Sequence, residues 1–299
     1  MKTLTIFTPA YNRAHTLVRT YKSLCNQICK DFEWLIIDDG STDNTADIVK
    51  KWIKEADFSI RYIYQENQGM HGAHNTAYKN ITTELNICID SDDYMPIDAV
   101  ENIITFWKNN KDNKYAGFIG LDQREDGSII GSSFPSEMHE TTLMDFYTKG
   151  GSGDKKLVYR TDVIKQYPEY PLFEGERYVG LAYKYMLIDQ DYKLLTINKP
   201  LVIVEYQADG SSNMMWKQYW NNPRGFAFFR KTEMVVAPTL KRRFVSCIHY
   251  VSSCIISKNK SFFKETPQKT LTLLAIIPGI ALYHTIKRKV KQNKSLLIK

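Results

Sequence analysis

The stretch Leu85-Asn86-Ile87-Cys88-Ile89-Asp90-Ser91-Asp92-Asp93 decides what kind of chain this is. An apolar run suited to a buried strand ends abruptly in a cluster of carboxylates. Carboxylates this close repel one another unless a cation or a hydrogen-bond network compensates. Hard divalent ions such as Mg2+ or Mn2+ favour carboxylate oxygen and share their remaining positions with phosphates. The competing explanation is an acidic turn capping the next helix, for which Asp98 is the more natural residue. Position in the fold decides between them.

Upstream, short β-rich runs alternate with helical spacing. Leu4–Thr8 reads as a strand, and Leu17, Tyr21, Leu24 and Ile28 follow at helical intervals. Phe32–Ile37 is a second strand. Thr45–Ala56 is helical, with Val49, Trp52, Ile53 and Ala56 on one face. Ile60–Tyr64 is a third strand and Gly72–Ile81 a helix, before the strand Leu85–Ile89. This β-α repetition predicts an α/β fold with a mostly parallel, Rossmann-like sheet flanked by helices. Right-handed crossovers then put every strand's C-terminal end on one edge, where ligands sit in such sheets. Pro9-Ala10-Tyr11-Asn12, Asp38-Asp39-Gly40-Ser41, Asn67-Gln68-Gly69 and Asp90-Ser91-Asp92 all lie just beyond their strands. Topology thus predicts one site built from distant segments.

Beyond residue 95 the pattern loosens. Ala116–Leu121 reads as a strand, Leu143–Tyr147 as a short helix and Gly150–Asp154 as a loop leading into Leu157-Val158-Tyr159. Tyr178–Leu187 reads as a helix, Leu201–Glu205 as a late strand and Gln207–Asn213 as a polar flap. Aromatics crowd this half, Trp216, Tyr219, Trp220, Phe226, Phe228 and Phe229 among them. A sugar platform, core packing and a membrane-interface belt all accommodate them.

The net charge of +7 over 299 residues hides a polarity. Residues 230–299 hold fifteen Lys or Arg against Glu233 and Glu265, a net of +13, which leaves −6 for the rest. The same region carries an uncharged run, Leu271 to Tyr283, bounded by Lys269 and Lys287. The run is short of the roughly 20 residues that span a bilayer, and Pro278-Gly279 interrupts it. Apolar and basic character together predict a helical tail, 231–299, that contacts a membrane surface rather than nucleic acid. Five cysteines without a disulfide or metal pattern point to a reducing compartment. The expectation is a cytoplasmic protein, peripheral on the inner face of the cell membrane.

Thr8-Pro9-Ala10-Tyr11-Asn12, Ser23-Leu24, Gln27, Ile36-Ile37-Asp38-Asp39-Gly40-Ser41-Thr42-Asp43, Asn67-Gln68-Gly69, Ala73-His74-Asn75 and Asp90-Ser91-Asp92 together resemble family 2 glycosyltransferases. The resemblance is dense over residues 4–95 and thin after about 120. It implies an inverting enzyme of the GT-A fold in cell-surface polysaccharide synthesis. Residues 1–230 would then form the GT-A domain, with 1–120 binding the nucleotide-sugar donor and 121–230 the glycan or lipid-linked saccharide acceptor. In this likeness Thr8, Pro9, Tyr11 and Asn12 line the nucleotide pocket. Asp39 binds the base, a uracil, while Asn67 and Gly69 shape the donor floor. Asp90 contacts ribose or metal beside Ser91, and Asp92 is the main ligand of Mn2+ or Mg2+.

Two departures are visible. His74 stands where many members have Arg, a weaker phosphate partner. Gly180-Leu181 stands where related sequences carry a further acid. For the general base that inversion requires, the resemblance implies Glu176, then Glu174, with Asp154 as an outside candidate. Two other readings compete: a phosphohydrolase with Asp90 as nucleophile, and a non-catalytic membrane-associated binder of the same fold.

Overall fold

The computed structural model describes residues 2–205 and 214–296, with side chains to 292. The expected flap Gln207–Asn213 lies outside the described residues. By contact density the chain divides into two compact units: Met1–Glu169 with Ile188–Tyr206, and Tyr170–Leu187 with Gln207–Lys299.

The first unit is built on an eight-stranded sheet. In chain order its elements are β1 (Leu4–Ala10), α1 (Ala14–Cys25), β2 (Phe32–Asp38), α2 (Thr45–Glu55), β3 (Ser59–Tyr64), α3 (Met70–Asn80) and β4 (Leu85–Cys88). Then come α4 (Ala99–Asn110), β5 (Tyr115–Gln123), β6 (Glu140–Thr141), α5 (Leu143–Thr148), β7 (Lys155–Arg160) and α6 (Thr161–Ile164). Helix α7 (Ala182–Asp191) precedes the long strand β8 (Lys193–Ile203). The sheet order is β3-β2-β1-β4-β7-β5-β8-β6. β3, β2, β1 and β4 are parallel, whereas β7 runs antiparallel between β4 and β5.

The parallel half follows the predicted alternation closely, because its strands are buried on both faces. Every residue of β1 is buried, and so are Trp34 to Asp38 of β2. Leu4, Ile6, Trp34, Ile36 and Ile87 meet Leu17 and Leu24 of α1 and Val49 and Trp52 of α2 in one core. Helical spacing overreached at two points. Ile28 lies beyond the end of α1 and is exposed, and Ile53 leaves the buried face of α2. Each sits at the margin of its apolar stripe, where water is an acceptable neighbour.

The second half departs further. β8 begins eight residues before the expected late strand, and α7 begins at Ala182 rather than Tyr178. In β8, Asn198, Lys199 and Pro200 interrupt any alternation. Its identity as a strand comes from pairing with β5, across repeated register shifts.

The second unit is helical: α8 (Met215–Asn221), α9 (Pro223–Val236), α10 (Leu240–Ile256), α11 (Phe262–Glu265), α12 (Lys269–Leu274) and α13 (Ile276–Leu296). Ala227 and Met234 of α9 share a core with Cys247, Tyr250, Val251 and Cys254 of α10 and with Ala275. The aromatics lie largely among themselves. Tyr219 packs on Phe226 at 4.5 Å, Phe226 stacks on Tyr178 at 4.7 Å, and Phe228 meets Tyr183 at 4.8 Å. Pro278-Gly279 does not break the apolar run. Pro278 lies in the first turn of α13, where its missing N–H is not needed. At Gly279 a Cβ would stand 2.6 Å from the Val251 side chain, so glycine permits the approach of α13 to α10.

Candidate active site

The C-terminal ends of β2, β1 and β4 lie side by side on one edge, and their exit loops are tied together by short polar side chains. Asn12 takes a left-handed φ of 53°. Its N–H donates to Ser41 Oγ at 2.9 Å, and its Oδ1 accepts from Thr42 N–H at 2.8 Å. Asp43 accepts from Ala14 N–H at 3.1 Å and Thr45 N–H at 3.0 Å, bracing the starts of α1 and α2. Burial acts to raise the Asp43 carboxyl, but these donors hold it below its ordinary range. Asp38 accepts from Ser41 N–H at 2.8 Å and from the Tyr62 hydroxyl at 2.5 Å.

Asp39 is the keystone of the second loop. Its carboxylate accepts from Gln65 Nε2 at 2.7 Å, Gln68 N–H at 2.9 Å and Gly69 N–H at 2.8 Å. The Asn67-Gln68-Gly69 segment is thereby clamped under the β2 exit, at the start of α3. Gly40 makes room: its φ is 85°, and a Cβ there would fall 2.9 Å from Asn67 N.

At the β4 exit Asp90, Ser91, Asp92 and Asp93 turn back over the sheet. Burial, then the charge of Asp90, raises the Asp92 carboxyl above its ordinary range. Asp93 is pushed further, to about 8, mainly by burial, although Lys156 acts against this. Asp93 also accepts from Glu205 N–H at 3.2 Å, which anchors the end of β8. Asp122, at the end of β5, is raised to about 6 by burial, and its Oδ1 is buried without a hydrogen-bond partner. Burial works to lower Lys156, but Asp122, Asp90 and Asp93 together hold it above its usual value. Lys156 thus sits among the carboxylates of this edge, and Arg13 and Arg19 also act on Asp92.

Lys156 and Asp122 are the members of this group that the sequence does not announce. Lys155-Lys156 reads as a solvated pair, and only the antiparallel insertion of β7 brings Lys156 beside Asp90. Lys155 turns away, its Nζ donating to the carbonyls of Ser152 at 2.9 Å and Ile130 at 3.0 Å.

Of the remaining candidates, Pro9 is buried opposite Ile37 and Tyr11 is exposed at the β1 exit. Thr8 is buried, its hydroxyl accepting from the Trp34 indole at 3.0 Å. His74 is fully buried, with Nδ1 3.2 Å from the Tyr78 hydroxyl and Nε2 3.6 Å from Cys88 Sγ. Asp154 is exposed on the loop before β7. In the second unit Glu176 is buried and holds the start of α9, accepting from Gly225 N–H at 2.9 Å, Arg224 N–H at 3.1 Å and Arg224 Nε at 2.9 Å. Glu174 is exposed.

Among the described residues, no group of three or more His, Cys, Asp and Glu side chains is arranged to hold a metal by itself. Asp90 and Asp92 are oxygen donors of the kind a hard cation such as Mg2+ takes alongside phosphate and water oxygens. A cavity lies elsewhere in this unit. It measures about 690 Å3, is lined by Glu84, Lys111, Arg160 and Lys165, and opens where β4 begins. Its cations are occupied: Arg160 pairs with Asp162 and Lys165 donates to Ile81 O at 2.6 Å.

The parallel half of a mixed sheet, with carboxylates and a clamped glycine turn on its C-terminal edge, defines an α/β protein of the Rossmann-like kind. The model of glycosyl transferase family 2 matches residues 5–167, and the chain belongs to that family. It is 36% identical over 229 residues to the glycosyltransferase GlyA of Streptococcus pneumoniae, covering 73% of this chain and 32% of that one. Chondroitin synthase of Escherichia coli is 39% identical over 98 residues, covering 33% of this chain and 14% of the synthase. The chain therefore spans under a third of the length of either relative. In solved structures, S. aureus TarS in complex with UDP superposes with a TM-score of 0.57 at 17% identity, over 98% of this chain and 92% of that one. A mannosyltransferase from Pyrobaculum calidifontis with GDP-Man and Mn2+ gives 0.56 at 16%, over 98% and 84%. These two likenesses concern the fold.

Proposed function

We propose that the chain is an inverting glycosyltransferase, moving a sugar from a UDP-sugar to a saccharide or lipid-linked saccharide during assembly of a cell-surface polysaccharide. One observation carries the reading: Asp39 clamps the Asn67–Gly69 turn beside the exit of β1, and Asp90 and Asp92 stand at the exit of the neighbouring β4. That is a floor and an electrostatic demand suited to a base and a diphosphate. Relatives named as polysaccharide synthases and neighbours solved with UDP or GDP-Man support the same class.

In this reading Asp39 accepts the base N–H, and Asn12 and Tyr11 border the nucleoside. Asp92 and Asp90 would hold a Mn2+ or Mg2+ ion, whose charge would neutralise the departing diphosphate. The acceptor hydroxyl attacks the anomeric carbon opposite the diphosphate. The bond to the diphosphate breaks as the new one forms, the configuration inverts, and a carboxylate takes the hydroxyl proton. Glu174 is favoured for that proton, because the oxygens of Glu176 already receive three donors. Asp154 is the alternative on the sheet unit. The chain would work on the cytoplasmic face of a membrane, held there by residues 231–299. No observation favours a phosphohydrolase.

The test is thermal melting with UDP and Mn2+. The parent should melt higher with both present, and Asp92→Asn should lose that shift while keeping its ligand-free melting temperature. Equal melting of the parent with and without UDP and Mn2+ would refute the donor assignment.

A further inference from the structure

In sequence Leu271–Tyr283 is one apolar run, but folded it has two faces. Thr272 and Ala275 are fully buried and Gly279 lies against Val251 of α10. The opposite face carries Leu273, Leu274, Ile277 and Ile280, which are 58, 63, 81 and 42% exposed. Isolated exposed aliphatics need no explanation, but four on one ridge do. Continued at steps of three and four along α13, the Ile277–Ile280 stripe reaches His284, Lys287 and Lys291. The stripe therefore passes from apolar to basic along one helix.

Beside the ridge, a groove of about 470 Å3 is lined by Val251, Ile255, Phe262, Ile276 and Ile280, and by Lys258 and Lys260 from the turn after α10. Lys258 takes a φ of 57°, the left-handed conformation normally given to glycine at a helix end. Asn259 N–H closes that turn on Cys254 O at 2.9 Å.

We propose that this face docks on an anionic bilayer. Leu273, Leu274, Ile277 and Ile280 enter the interfacial layer of one leaflet, and Lys258, Lys260, Lys287 and Lys291 meet the lipid phosphates. This deepens the membrane placement in the functional reading above and needs no part of its donor chemistry. A bilayer offers apolar depth and negative charge at one boundary, which is what an aliphatic ridge with a lysine rim complements. A second copy would bring the same net +13 segment against itself. No helix among the described residues is long and apolar enough to cross the membrane, so insertion is shallow.

The experiment is co-sedimentation of the full chain with phosphatidylcholine vesicles, with and without phosphatidylglycerol. Ile277→Glu should weaken binding about tenfold, as expected when one large aliphatic is denied burial. Lys258→Gly with Lys260→Gln should weaken binding to the anionic vesicles about tenfold, with no fall in melting temperature. Both variants should keep the UDP and Mn2+ melting shift of the parent, so failure here is distinguishable from failure of the donor reading. Unchanged vesicle binding by Ile277→Glu overturns the proposal. So does self-association of the parent without lipid that Ile277→Glu abolishes.

Discussion

Asp39 holds the turn before α3 by accepting from two of its backbone N–H groups. Its neighbours Gln68 and Gly69 present backbone N–H groups that have no other acceptor in the hydrogen-bond pattern, at 2.9 and 2.8 Å. Replacing Asp39 by Ala takes the acceptor from the buried Gly69 N–H and the half-buried Gln68 N–H, at a cost of about 2 kcal/mol. Asp39→Ala is expected to lower stability in urea by that amount and to weaken UDP binding in titration. A variant as stable as the parent would mean that the turn is held by something else. The clustering of Asp90 and Asp92 at a strand exit is legible in the sequence, because the residues are adjacent. Lys156 and Asp122 are not legible, because their proximity depends on which strand inserts beside β4.

Among the elements, α9 depends on how its first turn is closed. Gly225 N–H meets Glu176 at 2.9 Å, and a Cβ on Gly225 would lie 2.1 Å from the Tyr178 carbonyl oxygen. Backbone cannot yield as a flexible side chain does, so Gly225→Ala should cost about 3 kcal/mol in chemical denaturation. Within α10, burial and then the charge of Arg230 lower the pKa of His249 from 6.5 to about 4. The unfolded chain binds a proton at this position below about 6.5, while the folded chain resists until about 4. The stability His249 contributes is thus present above pH 6.5 and lost as the pH falls towards 4. His249→Gln should flatten that limb in a melting-temperature series from neutral to acid pH. An unchanged slope would assign the acid sensitivity to other groups.

For the whole molecule, the basic segment is not a tail hung on a finished domain. The core of the helical unit joins Ala227 and Met234 to Cys247, Tyr250, Val251 and Ala275, on both sides of residue 230. Cutting after residue 230 should therefore leave 214–230 open to protease, while the sheet unit keeps its UDP and Mn2+ melting shift. Protease resistance of that segment after the cut would show that it folds without α10.

The sequence by itself determined the parallel α/β half, the edge on which the polar strand exits gather and the family. Those features are written in local alternation and in motifs whose residues are neighbours along the chain. Only the tertiary structure decided that β7 runs antiparallel into the sheet, that His74 is enclosed by Phe7, Tyr78 and Cys88, and that Glu176 caps a helix. It also divided one apolar run into a buried and an exposed face. The physical reason is common to these cases. Propensity and spacing act over a few residues, whereas a side chain's partners are chosen by which distant segments pack against it.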